Sequence, residues 1–99
     1  MDHYRQGVIL MRRVDGLPPA AQRATDPILA QGEATGHAHR LTGDGAVFRD
    51  PESQALYIHV MTSATVTHPE HKPITLGAGI YAVIRQREYT PEDIRFVSD

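Results

Sequence analysis

Glycine and proline cut this chain into short runs rich in β-branched residues, and no stretch carries the sustained apolar stripe of a long amphipathic helix. Asp15-Gly16 and Pro18-Pro19 close the run Gly7 to Val14, and Asp50-Pro51-Glu52-Ser53 forms a turn before Ala55 to Thr67. Thr42-Gly43-Asp44-Gly45 reads as a hairpin turn between an extended stretch, Ile28 to Leu41, and Ala46 to Arg49. Gly77-Ala78-Gly79 reads as a tight corner before a further strand, Ile80 to Tyr89. Punctuation of this kind selects an all-β or mostly β chain, a small barrel or sandwich of six to seven short strands, rather than βαβ units. Helical signals are confined to a short turn around Ala20 to Ala24 after the prolines, and to one after Pro91. There Thr90-Pro91-Glu92-Asp93 combines an N-cap residue, an N1 proline and first-turn acids.

Period-two alternation then assigns faces. Leu56, Ile58 and Val60 share the core side of the longest strand, with Tyr57, His59 and Met61 opposite. The same reasoning predicts a core of Val8, Leu10, Leu41, Leu56, Ile58, Val60, Leu76, Ile80 and Ile84. A chain of 99 residues fits a single domain spanning 1–99, with a thin core that oligomerisation would help to stabilise.

The chain has no cysteine, which excludes disulfides, thiolate nucleophiles and sulfur-based zinc sites. A net charge of -2 gives no global drive toward nucleic acid or anionic membranes. The opening residues carry no signal-peptide pattern and the early apolar run is too short to span a bilayer, so the expected location is the cytoplasm.

Histidine is the chemistry that remains. Five of the six histidines fall between positions 37 and 71, four of them as two close pairs. In an extended His37-Ala38-His39 both imidazoles leave one face with Cα atoms about 6.6 Å apart, a spacing at which two rings can meet one ion. His68-Pro69-Glu70-His71 supplies two more imidazoles and a carboxylate at a turn. The expected set for a divalent metal, zinc or similar, is His37, His39 and His71, with His59, His68 and Glu70 as further candidates. Glu70 or Glu33 would accept a hydrogen bond from a ligating ring. A second candidate surface, for a phosphate or nucleobase, comprises Arg40 and the strand face Arg85, Arg87 and Tyr89.

Gly32 to Arg40, containing Thr-Gly-His-Ala-His-Arg, and His68 to Tyr89 together resemble a group of short, uncharacterised bacterial proteins. The shared elements continue through Pro73-Ile74, Leu76, Gly79, Tyr81 and Val83 to Gln86-Arg87-Glu88-Tyr89, while the group has His-Glu-Glu-His where this chain has His68-Pro69-Glu70-His71. That resemblance implies no activity. His37 and His39 also give a weaker similarity to cupins, whose small β barrels hold a metal through such a pair. The cupin glutamate is missing here, Asp44 being the nearest acid, and the second cupin motif is not reproduced.

Three functions follow as expectations. The first is a small β-barrel binding module with a histidine cluster for a divalent metal. The second is a small hydrolase, phosphodiesterase-like, using the same histidines as metal ligands or as acid and base. The third is a homo-oligomeric structural or adaptor subunit.

Overall fold

The computed structural model describes residues 3–31 and 37–85. Among these residues seven strands form one antiparallel sheet: β1 (His3–Gln6), β2 (Ile9–Val14), β3 (Gln22–Arg23), β4 (Ile28–Gln31), β5 (Ala38–Arg49), β6 (Leu56–His68) and β7 (His71–Arg85). Their order is β1-β2-β7-β6-β5-β3, with β4 paired to the first part of β5. The chain is all-β, as its punctuation predicts. The sheet is open, so the small barrel expected from the strand pattern as one of two forms, and implied by the cupin similarity, does not form.

β5, β6 and β7 run for 12, 13 and 15 residues, longer than the glycines suggest. Thr42 to Gly45 and Gly77 to Gly79 are not turns, because both glycine groups lie inside strands. Gly43 pairs with Ala64 and Gly45 with Val60, leaving Asp44 opposite Met61, Thr62 and Ser63. On the other side of β6, Val60 pairs with Gly79 and Ser63 with Gly77, leaving Met61 and Thr62 opposite Ala78. The three strands therefore bulge at one level and crease the sheet, since an extra unpaired residue bends a strand and sharpens its twist. Gly43 has φ +98°, and a Cβ there would lie 3.1 Å from both Ala64 Cα and Ser63 O. Thr62 Oγ1 donates to Asp44 Oδ2 at 2.9 Å across the crease.

The crease folds one half of the sheet over the other. Gln6, at the end of β1, reaches the far half, where its Nε2 donates to Val66 O at 3.0 Å and to Lys72 O at 2.8 Å. The enclosed faces form a core of Ile9, Met11, Leu29, Leu41, Val47, Ile58, Val60, Val66, Leu76, Tyr81 and Val83, with smaller alanines.

Ile58, Val60, Leu41 and Leu76 are buried as expected, and Leu56 packs against the core. Two strand phases differ from expectation. A turn at Gly7-Val8 splits the first run and pairs Gln6 with Ile9, which puts Ile9 and Met11 inside and leaves Val8 44% exposed and Leu10 partly buried. In β7 the inward residues are Leu76 and then Tyr81 and Val83, so Ile80 and Ile84 are only partly buried. The bulge at Gly77 to Gly79 slips the alternation by one residue. Tyr81 donates from its hydroxyl to Gly77 O at 2.9 Å and meets Tyr4 edge to face at 6.1 Å.

The turn at Asp50 is as expected: Asp50 Oδ1 accepts from Glu52 N–H at 3.0 Å and Oδ2 from the Ser53 hydroxyl at 3.1 Å. Around Ala20 the expected helical turn is instead a β-turn, with Ala21 N–H donating to Pro18 O at 3.1 Å, followed by β3. No helix occurs among the described residues. The expected helical turn after Pro91, and the part of the last predicted strand beyond Arg85, lie outside them.

Candidate functional site

The β5–β6 and β6–β7 ladders bring two histidine pairs to one end of the enclosed face, with Arg40 paired to Thr67 and His68 to His71. His39 shares the inward phase of Leu41 in β5 and is 4% exposed, while His37 precedes it by two residues. His68 and His71 face each other across the two-residue turn Pro69-Glu70 that joins β6 to β7. The His68 ring centre lies 4.3 Å from that of His39, 4.7 Å from His71 and 5.8 Å from His37, and His39 lies 6.1 Å from His71. His71 is seated over Gly7, where a Cβ would come within 2.6 Å of its Nε2. Glycine at the positive φ of +59° thus both forms the β1–β2 turn and makes room for the ring.

Hydrogen bonds assign the tautomers. The Gln6 Nε2 amide donates to two carbonyls, so its Oε1, 2.8 Å from His39 Nδ1, must act as acceptor. His39 Nδ1 therefore carries the proton, and in the neutral ring Nε2 keeps its lone pair. His68 has the opposite arrangement: its Nδ1 accepts from Glu70 N–H at 3.0 Å, so Nε2 carries the hydrogen. Glu70 Oε2 stands 3.4 Å from His37 Nδ1.

Two of the clustered rings, His39 and His68, resist protonation. Burial, followed by the neighbouring His68, His71 and Arg85, lowers the His39 pKa from 6.5 to about 4. Desolvation, followed by His71 and His37, lowers that of His68, with Glu70 opposing. Both rings are neutral at pH 7, the state in which imidazole offers a lone pair.

The expected site residues are thus distributed unequally. His37, His39, His68, His71 and Glu70 come together. His59 lies on the other face, 6.5 Å from the Phe48 ring, and takes no part. Arg40 is exposed on the outward phase of β5. Arg85 ends β7 on the inward phase and acts electrostatically on His39. Arg87, Tyr89 and Glu33 lie outside the described residues. Gln6, buried to 2% exposure, was missed, because a lone glutamine has no motif; its only signal is the phase it shares with Tyr4 and Ile9 on either side of the turn. Among the described residues, no group of three or more His, Cys, Asp or Glu side chains has the arrangement of metal ligands, and no helix is long and apolar enough to cross a membrane.

Fold and site together define a small open-sheet β domain with a histidine-lined end. The chain belongs to the family described as Domain of unknown function (DUF8820), whose pattern matches residues 5–86. That span includes Gln6, the four clustered histidines and Arg85. No curated protein and no solved structure matches the chain.

Proposed function

We propose that this domain is a binding module that takes up a divalent transition-metal ion at the histidine cluster, with His39 as the anchoring ligand and His71 and His37 joining it. The observation that carries this reading is the Gln6 amide, which holds the proton on His39 Nδ1 and so directs a lone pair through Nε2. Two imidazoles bound to one ion through bonds of about 2.0–2.1 Å have ring centres no more than roughly 6.5 Å apart. The His39–His71 ring separation of 6.1 Å falls inside that limit. Binding requires rings to turn about χ2, a broad torsion, and exposed His71 is the one least constrained by burial. Water and Glu70 would complete the coordination.

The test is metal content and zinc or cobalt titration of protein purified without a histidine tag. Stoichiometric binding that is lost in His39→Ala and weakened in His71→Ala supports the reading. It should also weaken as pH falls toward about 4, because protons then compete for the His39 lone pair. Absence of binding, or binding indifferent to His39→Ala, overturns it.

A second reading is favoured by one observation: His39 Nε2 bears a lone pair and His68 Nε2 a hydrogen, on rings 4.3 Å apart. Such a couple sets a base beside a hydrogen-bond donor, an arrangement able to orient water toward a phosphate ester. Phosphodiesterase activity that survives chelation, and disappears in both His39→Ala and His68→Ala, would replace the metal reading with this one.

A further inference from the structure

Between β4, the start of β6 and the end of β7 lies a cavity of about 680 Å³, within the range of small-molecule sites. Its lining is more polar than apolar: two arginines, Arg49 and Arg85, line it, and Leu29, Leu56 and Val83 contribute apolar atoms. Among the described residues Asp26 is the one acid on the lining; it accepts from Ile28 N–H at 3.2 Å and forms no ion pair with either arginine. Arg49 is engaged only weakly, with Gln54 Oε1 at 3.5 Å.

Arg85 is different. Its Nε is buried and has no hydrogen-bond partner among the described residues. A guanidinium stays charged at any physiological pH and presents its donors as a planar fork that matches an oxyanion. Burying such a donor without an acceptor is unfavourable, and a bound anion removes that penalty. We infer that this cavity binds a small organic oxyanion, a carboxylate or phosphate on an apolar body, with Arg85 gripping the charged end and Leu29, Leu56 and Val83 covering the rest. None of the clustered histidines lines this cavity, and the inference does not rest on the metal reading.

The experiment follows the Arg85 Nε–H resonance in chelator-treated protein during titration with benzoate, inorganic phosphate and uncharged benzamide. Benzoate is expected to shift that resonance saturably and to bind more tightly than phosphate, which lacks the apolar body; benzamide should bind at least about tenfold more weakly than benzoate. Arg85→Gln should weaken benzoate binding at least about tenfold. Arg85→Lys, which keeps the charge but loses the fork, should fall between, and it carries the test if Arg85→Gln does not fold. Equal binding of benzoate and benzamide, unchanged affinity in either variant, or no response to any probe overturns the inference.

Discussion

Gln6 shows how one side chain can decide the state of a site. Its amide spends both N–H groups on Val66 O and Lys72 O and its oxygen on His39 Nδ1. Gln6→Leu fills similar volume but leaves two carbonyls and one imidazole N–H without partners. It is expected to cost roughly 2–4 kcal/mol, read from urea denaturation, because each buried orphan carries a desolvation penalty; a change below about 0.5 kcal/mol would mean water replaces the amide. His39 gives a second expectation. Its folded pKa, about 4, lies below the ordinary 6.5, so protonation favours the unfolded chain. The stability it supplies is complete above pH 6.5 and is lost as pH falls toward 4, a loss on the order of 2–3 kcal/mol. Denaturation of metal-free protein from pH 7 to pH 4 should show this slope, and His39→Gln should flatten it. At this scale the histidine pairs were legible because adjacent residues carry their own spacing. Gln6 was not, since its partners lie far away in sequence and a buried amide has no local pattern.

At the scale of elements, the glycines marked the right places and the wrong geometry. Gly43, Gly45, Gly77 and Gly79 signal backbone freedom, which serves a turn or a bulge equally well; only pairing with β6 decides between them. The same bulge shifts the phase of β7, which is why Tyr81 and Val83 are inside where Ile80 and Ile84 were expected. Asp50 to Ser53 was readable because its turn is closed by its own side chains. The crease makes its glycines unequal. A Cβ at Gly43 would meet β6 backbone at a φ of +98°, whereas one at Gly77 meets nothing within 4 Å. Gly43→Ala is therefore expected to lower stability by about 1–3 kcal/mol, and Gly77→Ala to change it by less than about 0.5 kcal/mol. Equal effects in thermal or urea unfolding would refute the crease as the source of the difference.

Across the whole molecule, one core is shared by the two halves of a single sheet. Ile58 is fully buried where β6 passes through it, and Val8 is 44% exposed at a turn. Ile58→Ala is expected to cost about 2–4 kcal/mol and Val8→Ala less than about 0.5 kcal/mol, both measurable by urea denaturation. The all-β class was legible because it follows from punctuation and β-branched content. The open, creased topology was not, because it depends on which strands pair. Most of that pairing joins neighbours through short hairpins, so β5, β6 and β7 can zip together early. The Gln6 amide instead spans 60 and 66 residues to Val66 and Lys72. Contacts across such distances form only after the long loop between them has been closed. Gln6 is therefore expected to act as a late latch: Gln6→Leu should leave the refolding rate nearly unchanged and speed unfolding in stopped-flow kinetics, and an equal loss in the refolding rate would place the latch before the barrier.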